Sequence, residues 1–416
     1  MTPSRNPAPW KDSTLGLLAQ GYAWLPDRMR HSPDGTVRCR LLGRPAVALR
    51  GPEAVAFFYD EAHVVRTAAL PGPVLDTLFG RGAVHTLDGE AHRVRKAMFV
   101  ALLKEDAGVA ELGRIVGRRW REALAGPPGR PLVVFEEAAR VLALSVRDWA
   151  GLPLSDPTTL ELARDCIAMV DGFATAGPRH LRARWARRRQ ERALADLVTQ
   201  VRRSPEAATG GSVVETVARH RDAGGDLLDP RTAAVELLNV IRPTVAIAWF
   251  AAFAAHALHR WPDRREPLRA DTSGVHAEAF AHEVRRFYPF APFVAGLAAQ
   301  DLTWRGGDIP EGTLVLLDLY GQNHDPALWE DPYRFDPHRF TRPGRPPNPL
   351  DVLVPQGGGD VSRGHRCPGE DITVTVLAAL ATELARLDHD VPEQDLTIPL
   401  HRVPTLPGGG FELRTR

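Results

Sequence analysis

The sequence predicts a mainly α-helical chain with minor β structure. Three observations carry that prediction: a stretch at 229–261 that is apolar almost all round, helix-period segments at 88–126 and 132–202, and alternating segments that are few and short. Hydrophobic residues make up 44% and charged residues 25% of the 416, the balance of an ordinary globular protein. No internal repeat or low-complexity linker interrupts the chain, so residues 1–416 read as a single domain.

In chain order, residues 38–51 alternate and are rich in Leu and Val, which predicts a strand pair. A helix follows over 51–63. The helical stretch at 88–126 begins after Asp88, a residue type suited to cap it. The stretch at 132–202 is interrupted near Pro153 and Pro157. Its last part, from 178 onward, is strongly basic and reads as a solvated helix face with i,i+4 charge pairs. Asp229 and Pro230 supply an N-cap and a first helical residue for the apolar stretch. Its all-round apolar character sends that helix through the protein centre, and Pro243 inside it predicts a kink near Asn239. A further helix covers 276–288. Residues 301–321 alternate and turn at Gly306-Gly307, a small sheet. Residues 323–350, rich in Asp and Pro, read as irregular; a helix follows Cys367, and the tail reads as strands.

Composition removes several function classes. A net charge of +1 leaves no basic footprint for nucleic acid. The three cysteines, Cys39, Cys166 and Cys367, are odd in number and far apart, so neither a disulfide framework nor a CxxC zinc site is expected. They fit a reducing compartment. The first thirty residues hold no apolar run long enough for a signal peptide or membrane anchor, so a soluble, cytoplasmic protein is expected.

The run QGGGDVSRGHRCPGE at 356–370 carries the most chemistry. It sets Cys367 after a glycine-rich loop and before a helix, where N–H groups and the helix dipole favour a thiolate. Glycines there let backbone approach a flat partner. Such a cysteine suits the axial position of a haem iron; a buried structural cysteine beside a tight turn is the alternative. Arg242 stands midway along the apolar helix, directly before Pro243. A guanidinium cannot shed its charge, so it is either an internal ion pair, with Glu236 the candidate, or a bidentate clamp for a carboxylate in an apolar cavity. Glu283 and Arg286 share a helix face at i,i+3, and Arg339 can complete a cluster with them. His92 and Lys96 are at i,i+4, able to meet two anionic groups or to lie on a solvated face; lysine occurs at only two other positions, Lys11 and Lys104. His85, in the turn before that helix, is a proton donor or an ordinary loop histidine.

Together these residues closely resemble the cytochrome P-450 superfamily over nearly the whole chain. Cys367-Pro368-Gly369 matches the haem loop, Glu283 and Arg286 match the Glu-x-x-Arg helix with Arg339 as third member, and His92, Lys96 and His365 fall at propionate-contacting positions. Two departures are informative. Gln356 opens the loop where phenylalanine is usual, and NVIRPTVAI replaces the acid–threonine pattern of the central helix. Both, with RRFYPFAPFV and LLDLYGQNHDP, resemble the bacterial fatty-acid peroxygenase branch.

The resemblance implies a P-450 fold with haem b held between the central helix and the helix after Cys367, whose thiolate is the axial ligand. It implies hydrogen peroxide as oxidant, a long-chain fatty acid as substrate, and no obligatory redox partner. Arg242, with Pro243 beside it, is implied to hold the substrate carboxylate, which then serves as acid–base group. Oxidation at the alpha or beta carbon follows from that seating. His85 resembles the members that decarboxylate fatty acids to terminal alkenes, where hydroxylating members often carry glutamine, so a mixture with hydroxylation as the main outcome is expected. Phe79, Val170, Phe173, Phe290 and Phe293 are candidates to line the acyl channel, or simply core. The alternatives are a predominantly alkene-forming decarboxylase, a reductase-dependent monooxygenase, a non-enzymatic haem sensor, and a haem-free structural protein.

Overall fold

The computed structural model describes residues 10–416 apart from 33, 126, 204–210 and 343–347. The larger part is helical: α1 (Gly89–Leu103), α2 (Asp106–Leu124), α3 (Val134–Ala150), α4 (Asp156–Gly172), α5 (Pro178–Arg203), α6 (Pro230–Val245), α7 (Ile247–Arg260), α8 (Val275–Phe287) and α9 (Glu370–Arg386). A five-stranded sheet is built from β1 (Thr36–Leu41), β2 (Arg44–Leu49), β3 (Val64–Val65), β4 (Phe293–Ala298) and β5 (Leu314–Asp318) in the order β1-β2-β5-β4-β3. β2 and β5 are parallel and the other pairs antiparallel. The tail strands Glu412–Thr415 and His389–Asp390 form a second sheet with Pro131–Val133.

The central apolar stretch folds as α6 and α7. Asp229 caps it, accepting from the N–H groups of Arg231 (2.9 Å) and Thr232 (3.2 Å), and Pro230 opens it. Residues Pro230–Arg260 are long and apolar enough to cross a membrane, yet 94% of that apolar window is buried inside the protein. It is a core helix: α6 packs on α3, α4 and α5, and α7 on α3, α8 and α9. Trp249, Phe250 and Phe253 on α7 are almost fully buried, each stabilising the fold by roughly 1.5–3 kcal/mol through burial. The helix is unbroken through Asn239; the interruption falls at Ala246. There the N–H of Ala246 reaches the Arg242 carbonyl (2.9 Å) and that of Trp249 the Ala246 carbonyl (3.1 Å), a tightened turn after the proline.

Three local expectations are corrected. Asp88 is at the N-cap of α1 but does not cap it; its carboxylate turns to the N–H groups of Arg66 (2.8 Å) and Thr67 (2.7 Å), tying α1 to the end of β3. The hairpin Leu302–Trp304/Gly307–Ile309 turns at Arg305-Gly306, both at positive φ (48° and 78°), because Trp304 pairs with Gly307; β5 joins the five-stranded sheet instead. On α5, only Arg187 and Glu191 form an i,i+4 pair among the described residues. Arg182, Arg188 and Arg192 are exposed without an ion pair there, and Arg179, Arg184 and Arg189 reach acids on other segments.

Of residues 323–350, expected to be irregular, 343–347 lie outside the described residues, and the described part is irregular apart from the short helical turn Pro337–Phe340 and the start of Pro349–Val352; one buried carboxylate fixes it. Glu283 on α8 receives Arg286 through two hydrogen bonds (2.7 and 2.8 Å), Arg339 Nε (3.2 Å) and the N–H of Asp336 (2.8 Å). Arg286 spends its other N–H groups on the carbonyls of Asn323 (2.7 Å) and Pro332 (2.9 Å). Glu283 and Arg286 are fully buried, so removing the carboxylate strands two guanidinium groups. Glu283→Ala is expected to cost about 3–5 kcal/mol of stability, read as a lower midpoint in chemical denaturation.

Buried histidines give the fold a pH dependence. Burial, aided by neighbouring positive charge, pushes His256 and His282 down to about 4 and His324 to about 3. Unfolded, each returns to about 6.5 and takes up a proton that the folded state refuses. Their contribution is therefore full above about 6.5 and is lost as pH falls toward 4. The urea midpoint should be lower at pH 5 than at pH 7.5, and an equal midpoint would contradict this assignment.

Candidate active site

Three segments converge on one region: the cysteine loop, the start of α1 with the turn before it, and the middle of α6. In the loop, Gly357 and Gly359 take positive φ (96° and 74°). A side chain on Gly358 would drive into Val55, and one on Gly357 into the Tyr59 hydroxyl, so the glycines let the loop lie directly on the helix Pro52–Phe58 and Tyr59. Arg285 on α8, 1% exposed, bolts the loop from behind, pairing with Glu370 and donating Nε to Gln356 Oε1 at 3.0 Å. That bond fixes the Gln356 amide, whose Nε2 then faces Cys367 Sγ at 3.7 Å and Thr373 Oγ1 at 3.1 Å. Gln356, the departure noted at the loop's start, is thus a donor aimed at the sulfur. Burial nevertheless pushes the Cys367 thiol up, against the opposing pull of the Gly369 N–H, Lys96 and Gln356. The helix N-terminus alone does not make a thiolate here.

Beside the loop, the rings of His92 and His365 stack at 3.8 Å. His92 is buried and held down to about 3 by burial and then by His365 and Lys96. Lys96, 3% exposed, donates to the Arg366 carbonyl and is lowered to about 8 by burial. Arg66, also buried, lies over the Phe58 ring (4.1 Å), close enough for its charge to act on both histidines. Sequence reasoning missed Arg66, because a lone arginine at the end of a short strand carries no pattern. Its only signal is its partner Asp88, itself set by tertiary contact.

Arg242 has no acidic partner among the described residues. Glu236, the sequence candidate, is taken by Arg95 Nη1 at 2.7 Å, with the Val84 N–H at 2.7 Å and Asn239 Nδ2 at 3.2 Å completing its shell. Arg95 lies on α1, 141 residues before Glu236, too far in sequence for the pairing to be foreseen. Arg242 is 6% exposed, keeps one hydrogen bond to Asn239 Oδ1 (3.2 Å), and leaves Nε buried without a partner. Burial and then the charge of Arg187 lower it to about 9, while Cys166 and Cys367 act the other way. His85 lies in the turn Val84–Thr86 with its ring 4.5 Å from that of Phe79. Burial and then Arg242, His365, Lys96 and Arg187 hold its imidazole well below the ordinary value, so it is neutral near pH 7 and offers one N–H.

Of the channel candidates, Phe79 is tied directly to this region: its ring lies 6.0 Å from the Arg242 guanidinium carbon, and its carbonyl accepts from Asn239 and Arg187, each at 3.0 Å. Val170 is buried on α4 one turn after Cys166, and Phe173 follows that helix. Phe290 packs on Phe250 (4.9 Å) in the helical core, whereas Phe293 in β4 packs with Trp24 (6.5 Å) in a separate cluster against the sheet. Pro243 sits after Arg242, and the Thr244 hydroxyl is spent on the Val240 carbonyl at 2.9 Å.

These residues fit a haem. His85 Nδ1, His92 Nδ1, His365 Nε2 and Arg242 Nε are buried nitrogens without hydrogen-bond partners. Cys367 Sγ has Gln356 Nε2 fixed as a donor toward it, and the cations Arg66 and Lys96, with the N–H groups of the neutral histidine pair, suit two propionates.

Comparison with known proteins agrees. A family model described as Cytochrome P-450 matches residues 276–409. Cyclooctat-9-en-7-ol 5-monooxygenase of Streptomyces melanosporofaciens is 24% identical over 334 residues, 71% of this chain and 70% of that protein. Among solved structures, a variant of cytochrome P-450SP alpha (CYP152B1) is 40% identical with a TM-score of 0.91, covering 97% of this chain and 98% of that one. Wild-type cytochrome P-450EX alpha (CYP152N1) with myristic acid is 36% identical at 0.91, covering 97% and 96%. An OleT variant in complex with arachidonic acid is 33% identical at 0.90, covering 98% of each. Likeness of this extent, over chains that match almost end to end, means that the protein belongs to the cytochrome P-450 superfamily, on the branch of the CYP152 peroxygenases.

Proposed function

We propose that this chain, acting as one domain, is a peroxygenase that uses hydrogen peroxide to hydroxylate long-chain fatty acids at the alpha or beta carbon, with some decarboxylation to terminal alkenes. The haem-thiolate of the family would be a haem b, its iron ligated by Cys367 and its propionates held by His92, Lys96, His365 and the newly found Arg66. When bound, that group supplies an iron at which the O–O bond of peroxide is broken, with thiolate donation favouring the cleavage. Three free cysteines, two of them buried, fit a cytoplasmic enzyme.

The observation that carries the reading is Arg242: a buried guanidinium on the central helix with a free Nε and no acidic neighbour in the described structure. A fatty-acid carboxylate satisfies it through charge-assisted hydrogen bonds. Held there, the carboxylate takes a proton from hydrogen peroxide and returns it to the leaving oxygen, which departs as water. No side-chain acid on α6 is needed for this, and Thr244 is already engaged. Peroxide brings both oxidising equivalents, so no reductase or ferredoxin is required. Phe79 flanks the clamp and starts the apolar wall, and a carboxylate fixed at Arg242 brings its own alpha and beta carbons to the reacting centre.

His85 bears on the product. Its imidazole is depressed first by burial and then by Arg242, and a carboxylate bound at Arg242 would offset that second contribution. A histidine so placed can exchange a proton with the carboxylate as hydrogen abstraction occurs beside it. Return of hydroxyl gives the hydroxy acid; transfer of a second electron to the same peroxide-derived oxidant, with loss of carbon dioxide, gives the alkene and water. The unpartnered His85 Nδ1 also favours the second reading, a mainly alkene-forming enzyme.

The deciding experiment is turnover of tetradecanoic acid by purified protein with hydrogen peroxide alone, products read by gas chromatography–mass spectrometry. Hydroxy acid or alkene is expected; no product from protein with an intact ferrous–CO thiolate spectrum would overturn the proposal. Arg242→Ala should lower turnover by at least about a hundredfold while haem stays bound, and near-normal turnover would remove the clamp. His85→Gln should shift product toward hydroxy acid; an unchanged ratio would remove His85 from the chemistry.

A further inference from the structure

Glu236 is fully buried on α6, three residues before Asn239 and six before Arg242. An ion pair with Arg95 would account for a buried carboxylate by itself. The geometry goes further. Glu236 Oε1 also accepts the N–H of Val84, the residue before His85, at 2.7 Å, and Oε2 accepts Asn239 Nδ2 at 3.2 Å. Asn239 in turn gives Oδ1 to Arg242 Nη2 at 3.2 Å, while its Nδ2 also reaches the Phe79 carbonyl at 3.0 Å.

The chemistry of the three groups fixes the direction of this relay. A carboxylate only accepts and a guanidinium only donates, so the asparagine between them has one usable orientation: amide nitrogen toward Glu236, amide oxygen toward Arg242. That engages one Arg242 nitrogen and leaves Nε for another acceptor. The same carboxylate pins the backbone that carries His85. We propose that Glu236 is a positioning residue that sets His85 and Arg242 relative to one another, and through them both the seating of the fatty-acid carboxylate and the division of product between hydroxy acid and alkene. This rests on the carboxylate-clamp reading above.

Glu236→Gln is nearly isosteric and separates positioning from packing. Its carbonyl oxygen can keep Val84 and Arg95, but its amide nitrogen then faces Asn239 Nδ2, donor against donor. Asn239 must rotate and present N–H groups to Arg242, which has no acceptor to offer them. With the haem-loaded protein, the dissociation constant for tetradecanoic acid, read by calorimetry, is expected to rise about tenfold, a modest loss for one charge-assisted contact. kcat with peroxide should fall and the hydroxy-acid-to-alkene ratio should change, with the ferrous–CO spectrum unaltered. Asn239→Leu, which cuts the relay but spares the Glu236–Arg95 pair, should weaken binding similarly. The double variant Arg95→Gln/Glu236→Gln restores charge balance without restoring the relay, so it should remain impaired. Wild-type affinity and product ratio in Glu236→Gln, or their return in the double variant, would reduce Glu236 to the counter-ion of Arg95 and overturn the proposal. If the wild type itself forms no product with peroxide, the peroxygenase reading fails, and the affinity comparison among the same variants still decides this one.

Discussion

A guanidinium in the middle of an apolar helix constrains everything around it. Arg242 cannot lose its proton at working pH, and burying it uncompensated costs several kcal/mol. The fold does not neutralise it. It partly satisfies it, through one asparagine oxygen, and directs the only nearby α6 carboxylate, Glu236, to a different arginine. The neighbouring groups follow from that choice. His85 stays neutral in the field of Arg242, and Arg187, itself 1% exposed, is held at a distance by the Leu78 and Phe79 carbonyls and by Glu191. Among the described residues no acid pairs with Arg242, so a carboxylate is the kind of group that would satisfy it.

The same logic operates on the other side of the site at lower intensity. Arg66, Lys96, His92 and His365 come from three segments and are each held below their ordinary protonation by burial. Two carboxylates placed among them would reverse that penalty. The sulfur of Cys367 acts electrostatically on both Lys96 and Arg242, and its donor partner, Gln356, is oriented by Arg285 from the adjacent helix. Rigidity here comes from hydrogen-bond direction: each amide is fixed because one of its neighbours can only donate or only accept.

Part of the site was legible in sequence because it rests on local order. Cys367 with its glycines, Glu283 with Arg286 three residues on, and Asp229 with Pro230 are each settled by neighbours within one or two turns, and the structure keeps the ion pair and the cap as read. The local readings that failed did so through long-range competition. Asp88 had a helix to cap, but its carboxylate accepts the N–H groups of 66 and 67 instead. Glu236, the sequence candidate for Arg242, stands six residues before it on the helix, off the i,i+3 and i,i+4 spacing, and paired across to α1.

By itself, then, the sequence determined the helical class, the central buried helix, the cysteine loop and the anomaly of Arg242-Pro243, since periodicity, caps and an uncompensated charge are properties of contiguous residues. Only the tertiary structure decided which acid answers which base. It gave Glu236 to Arg95 and left Arg242 open, recruited Arg66 beside the histidine pair, turned Gln356 toward the sulfur, and separated Phe293 from the clamp that Phe79 touches. The physical reason is that a charge or an amide is satisfied by whichever partner lies within about 3 Å, and that distance is set by how helices pack, not by how far apart residues are along the chain.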